Sequence, residues 1–215
     1  MIDILIIKKE KIMKKILFAL LALFLLSSTT VVFTSCDDED PLEDLAGSLV
    51  GSMKVTIDNK TATFTGVGYF IENGTIYFGS GNMDGAVLVS KLDGTTPKKY
   101  TLGVVSEDIL TALVRGELNI GRFNNILAFR TVEGEIYVVV AGTFNVTSIG
   151  NEMKGSFSGN AVTASYVEKL YNDGMNAAEI LKVVTGNSAE VVKINCTGFT
   201  AKESSILKEK LSNFF

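Results

Sequence analysis

Apolar residues are spaced differently in three successive stretches of this chain. Near the start they run together, with eleven in unbroken succession over residues 16–26. From Leu49 to Val162 they alternate with polar residues, the period of a strand that buries one face. After Val162 the spacing moves to three and four residues, the period of an amphipathic helix.

The alternating stretch resolves into strands and turns. Met53, Val55 and Ile57 alternate with Lys54 and Thr56, and Asp58-Asn59, two residues that tolerate positive φ, predicts a hairpin after them. The return strand is expected over residues 61–70, with Gly66 and Gly68 marking a bulge or a close backbone approach. Asn73-Gly74 predicts the next hairpin. Asp84-Gly85 leads into a strand over 86–92 that Asp93-Gly94 ends, and 100–105 is another. Ser106 is a helix cap, Glu107 and Asp108 suit the positive end of the helix dipole, and Gly116 closes the helix. Strands resume over 117–120, 126–130, 135–141, 144–148 and 154–162, with turns at Glu133-Gly134 and Gly150-Asn151. So many strands joined by short turns predict a mainly β fold, an antiparallel β-sandwich or a barrel-like domain.

From about residue 163 the pattern predicts a C-terminal helical (α-β-α) tail. A helix over 165–170 is broken by Asn172-Asp173-Gly174. Asn176 with Glu179 forms a capping box for a helix over 177–184, and Gly186 stops it. Residues 189–196 are rich in Val and Ile and read as a strand. Thr200 with Glu203 repeats the capping signature and predicts a helix over 201–213, with Leu207, Leu211 and Phe214 on one face. No linker separates this tail, so residues 49–215 are read as one domain.

The unbroken stretch has a different meaning. Lys14 and Lys15 precede it, and Ser27, Ser28, Thr29 and Thr30 follow, the layout of a secretory signal. Eleven helical residues span roughly 16 Å, against about 30 Å for a bilayer core; a longer reading as an uncleaved membrane anchor, Ile16 to Phe33, would just reach across, but its four hydroxyl residues weaken it. Met13, directly before the lysines, is the better start, which makes residues 1–12 a mis-called start. Cys36 follows Phe33-Thr34-Ser35 and precedes Asp37-Asp38-Glu39-Asp40. This resembles a bacterial lipoprotein signal, in which a small residue stands before a Cys that is lipidated and becomes the new N-terminus. Phe33 departs from the aliphatic residue usual there. The acidic run is similar to the export tag of Bacteroidota lipoproteins, which implies an outer-membrane or cell-surface location. The reading is therefore a signal peptide over 1–35, lipidation at Cys36, and an acidic tether over 36–48. Stable anchoring takes more than one acyl chain, and the modification of such a Cys supplies several.

Composition narrows the chemistry. The chain has no His, which excludes Ser-His-Asp and Cys-His machinery. Its net charge is -4, and loss of residues 1–35, with five Lys and two acids, would make it more acidic still. That balance opposes nucleic-acid binding. With Cys36 lipidated, Cys196 has no partner for a disulfide and reads as a small buried hydrophobe.

The span 52–162 also resembles an uncharacterised β-rich (sandwich-like) domain family of Bacteroidota lipoproteins. The matching elements are Val55-Thr56-Ile57-Asp58-Asn59-Lys60 with Phe64, then Tyr100-Thr101-Leu102, then Gly142-Thr143-Phe144-Asn145-Val146-Thr147 and Gly155-Ser156-Phe157-Ser158-Gly159. The resemblance covers a little over half the chain and implies fold and location but no activity. The helical tail departs from it.

Candidate chemistry is sparse. Residues 80–85 partly imitate a calcium loop, but position one is Ser80 and position twelve is Lys91 where a bidentate Glu is needed, so a turn is the better reading. Glu107, Asp108, Glu117, Glu133 and Glu135 are the acids from which a glycosidase-like pair would be drawn. Tyr69, Tyr77, Tyr100 and Tyr137 lie on expected strands, where aromatics either stack on sugar rings or fill the core. No phosphate loop is present, and no cofactor or metal is expected. The expectation is a lipid-anchored, non-catalytic binding module for a glycan, a peptide or an envelope protein. The alternatives are a carboxylate-dependent hydrolase and a structural or assembly partner acting through the C-terminal tail.

Overall fold

The computed structural model describes residues 49–81, 86–103, 106–115, 120–186 and 190–211. The expected signal peptide over 1–35, Cys36 and the expected tether over 36–48 lie outside the described residues, as do Asp84-Gly85, Val104-Val105, Gly116, Glu117 and the last residues from Ser212 onward.

The chain is mainly β. The strands are β1 (Ser52–Ile57), β2 (Lys60–Phe64), β3 (Gly66–Glu72), β4 (Thr75–Gly81), β5 (Val87–Asp93), β6 (Lys99–Leu102), β7 (Ile126–Arg130), β8 (Ile136–Ser148), β9 (Glu152–Thr163) and β10 (Val192–Glu203). Among the described residues the helices are α1 (Glu107–Val114), α2 (Ala164–Asn172), α3 (Ala177–Thr185) and α4 (Ser205–Leu211), and a 3-10 turn spans Ile120–Arg122. Seven strands, β3-β4-β5-β7-β8-β9-β10, close into a barrel when β10 pairs back onto β3. That last pairing is parallel; the others in the ring are antiparallel. Strands β1 and β2 branch from β10, and β6 branches from β8.

Local turn chemistry sets the hairpins. Asp58 and Asn59 both take positive φ, 45° and 66°, as do Asn73 and Gly74, 50° and 78°. These pairs match the right-handed twist of the strands they join. Long strands serve two neighbours each. Along β8, Ile136–Val138 pair with β7, and residues 142–145 pair with β6. A register shift falls between Val139 and Ala141, as expected where a strand bends to leave one partner for another.

Side-chain alternation divides the interior into two layers. Leu127 and Phe129 of β7, Leu88 and Leu92 of β5, and Val139 of β8 point into the barrel. The residues between them, Ile126, Ala128, Val89, Val138 and Val140, point outward under a helical layer. Helix α1 buries Ile109, Leu110 and Leu113 there, α2 buries Val167 and Leu170, and α3 buries Ile180 and Val184. The caps follow ordinary rules: Ser106 Oγ accepts from Ile109 N–H, and Asn176 with Glu179 forms a complete capping box.

Four expectations need correction. The return strand over 61–70 is two strands, because the chain leaves β1 after Phe64 and joins β4 and β10 from Gly66 onward. Strands 135–141 and 144–148 are one. Gly142 does not end the strand but lets β8 and β9 meet closely, since a Cβ there would lie 2.4 Å from Ser158 O. Ile120 belongs to a 3-10 turn rather than a strand. The Thr200/Glu203 signature does not start a helix. Both residues lie in β10, and the helix begins at Ser205, with Ser204 Oγ accepting from Leu207 N–H at 3.1 Å. Within the tail, β10 is inserted between β1 and β9 and completes the barrel.

Candidate functional site

The barrel interior is filled by side chains. Phe78, Phe144, Phe157 and Phe199 form one aromatic cluster, with Phe199 centroids 4.8 Å from Phe78, 5.3 Å from Phe144 and 6.5 Å from Phe157. Tyr69 and Tyr100 are buried beside it. Their hydroxyls donate to backbone carbonyls, Tyr69 to Gly150 O and Tyr100 to Thr96 O at 2.7 Å. A small barrel packed in this way is a core rather than a ligand cup.

The four tyrosines do not form a sugar-stacking face. Tyr69 and Tyr100 are interior. Tyr77 lies on the outer layer, stacked on Phe70 with centroids 4.7 Å apart, and Tyr137 packs beside Phe129. Burial raises all four phenol pKa values above the usual range, with nearby acids adding to the rise: Glu203 at Tyr69, Glu72 at Tyr77, Asp93 at Tyr100 and Glu135 at Tyr137. At Tyr69 and Tyr100 the hydroxyl's hydrogen bond partly opposes that rise.

Those of the candidate acids that lie among the described residues likewise have local roles. Glu107 and Asp108 occupy the first turn of α1. Glu135 Oε1 accepts from the hydroxyl and the N–H of Ser165, at 2.9 and 3.3 Å, tying the start of α2 to the β7–β8 turn. The Glu133 carboxyl is held below its ordinary range by its own backbone N–H and the Thr131 hydroxyl, the reverse of what a general acid needs. Cys196 is buried in the barrel, and burial pushes its thiol pKa up, the environment of an inert thiol. Lys91, position twelve of the calcium-loop comparison, is buried and donates from Nζ to Gly121 O at 2.5 Å.

Among the described residues, two surface clefts carry charged side chains. The first, of about 480 Å³, lies by the β8–β9 turn and is lined by Ser148, Asn151, Glu152, Lys154 and Lys202. It is shallow, and its Lys154 is paired with Glu152 at 3.4 Å. The second, of about 320 Å³, is more enclosed and is lined by Asp108, Thr111, Ala112, Arg115, Arg122 and Phe123. Its construction follows from helical spacing. Positions 108, 111, 112 and 115 share one face of α1, opposite the buried face of Ile109, Leu110 and Leu113. The 3-10 turn supplies the other wall and brings Arg122 and Phe123 against that face. Sequence reasoning missed this cleft because Arg115 and Arg122 flank a stretch read as a strand. The only local signal was the helical spacing of 108, 111 and 115.

No family model, no curated protein and no solved structure matches the chain.

Proposed function

We propose that this chain is a lipid-anchored protein of the bacterial outer membrane or cell surface whose β-barrel domain is a non-catalytic binding module. The observation that carries the reading is the placement of Cys36, after the apolar stretch 16–26 and directly before Asp37-Asp38-Glu39-Asp40. Acylation there would hold the chain to a membrane, and the acidic run would act as a solvated spacer. The binding role is supported by a packed interior combined with charged clefts on the outer surface. The lack of any His, together with a buried Cys196, supports binding rather than nucleophilic catalysis.

Membrane fractionation of cells expressing wild type and Cys36→Ala tests the anchor. Wild type is expected in the membrane fraction and Cys36→Ala in the soluble fraction. A Cys36→Ala chain that still fractionates with membranes refutes the anchor.

A further inference from the structure

We infer that the cleft between α1 and the 3-10 turn is a binding site for an oxyanion, a carboxylate or phosphate group, on a small ligand that also carries an apolar flank. This deepens the binding-module reading by naming the ligand's chemistry. Two arginines, Arg115 and Arg122, line the cleft from different elements. Their planar forks suit the oxygens of a carboxylate or phosphate better than an ammonium does. Among the described residues, neither arginine takes part in an ion pair. Phe123 and Ala112 add apolar surface to the same walls. A volume of about 320 Å³ falls at the small end of ligand sites.

Asp108 also lines the cleft, but it stands seven residues before Arg115 on the same helix. That places it about 10 Å away along the helix axis, roughly one screening length at physiological salt. Asp108 and Arg115 thus line the same cleft about two helical turns apart.

The wall that carries Arg122 is held in place before any ligand arrives. Lys91, buried in the outer layer, donates to Gly121 O, next to Arg122. At the other end of the segment, Asn125 takes φ 51° and its Oδ1 accepts from Asp93 N–H at 2.9 Å. The Lys91 hydrogen bond ties the turn to β5. Fixing the wall in advance removes an ordering cost from binding.

The test is calorimetric titration of the full-length chain with three probes: N-acetylphenylalanine, its uncharged amide N-acetylphenylalaninamide, and inorganic phosphate. The acid is expected to bind and the amide to bind at least about tenfold more weakly, the loss that follows from removing charge-assisted hydrogen bonds. Arg115→Gln with Arg122→Gln should cut binding of the acid by at least about tenfold, while Lys193→Gln, exposed on β10 and outside both clefts, should leave it unchanged. Asp108→Asn should leave acid binding intact or tighten it. Tighter binding of phosphate than of the acid, lost in the same arginine pair, also supports the site and points to a phosphate source; the reverse order points to a carboxylate source. Equal binding of acid and amide, or insensitivity to the arginine substitutions, overturns the inference, as does failure of both anions to bind. The arginines are exposed, and circular dichroism checks that the variants fold. None of these results depends on Cys36, so failure of this site and failure of the anchor are read separately.

Discussion

Replacing Phe199 with alanine removes the ring on which the barrel's aromatic cluster converges. Phe199 is 4% exposed and lies on β10, the strand that pairs with β1, β9 and β3. Its ring contacts Phe78, Phe144 and Phe157, which come from β4, β8 and β9. A buried Phe→Ala change costs about 3–5 kcal/mol, from lost transfer free energy plus the cavity left behind. For a domain of this size each kcal/mol moves the melting midpoint by about 2–4 °C, so a fall of about 6–20 °C is expected. Phe199→Leu keeps an apolar group in the space but loses the ring–ring contacts, and should cost only about 1–2 kcal/mol. Calorimetric or circular-dichroism melts of wild type and both variants measure this order. If β10 were a loose appendage, Phe199→Ala would shift stability by about 0.5 kcal/mol or less, the range of an ordinary surface change. A midpoint within about 2 °C of wild type would therefore refute the closed barrel as the source of stability.

Other outcomes follow from the same geometry. Gly142→Ala places a Cβ 2.4 Å from Ser158 O, so the β8–β9 pair must separate, and the melting midpoint should fall by several degrees. Asn176→Ala removes the capping oxygen for Glu179 N–H, 3.0 Å away, and should cost about 1 kcal/mol in a denaturant melt. Stability should also decline in alkali. Tyr69, Tyr100 and Cys196 all have folded pKa values raised by burial above ordinary values of 10.0, 10.0 and 9.0. The folded state thus holds protons that the unfolded state has released, and stability falls as pH rises through that window. Melts taken from about pH 8 to about pH 11 should show a falling midpoint; a flat profile would contradict the buried hydroxyls and thiol.

Much of the fold was legible in local chemistry. Asp58-Asn59 and Asn73-Gly74 announced their hairpins because few residues accept positive φ, and Asn176 with Glu179 announced α3 because both partners of the capping box lie within four residues. Elements set by distant partners were read less well. Thr200 and Glu203 carry a capping pattern, yet pairing of β10 with β1 and β9 overrides it. Gly142 looks like a strand breaker until β9 is placed beside it. The candidate site was the least legible part. The acids and tyrosines could be named in advance, but Arg115 and Arg122 line one cleft only after α1 packs and Lys91 holds the turn from another strand.

The central claim, that this barrel is tethered to a membrane through Cys36, is tested most directly by the mass of the N-terminal peptide of the protein isolated from its native membrane. The account predicts a peptide that begins at Cys36 and carries several acyl chains. A peptide with unmodified Cys36, or one that begins elsewhere, would contradict it.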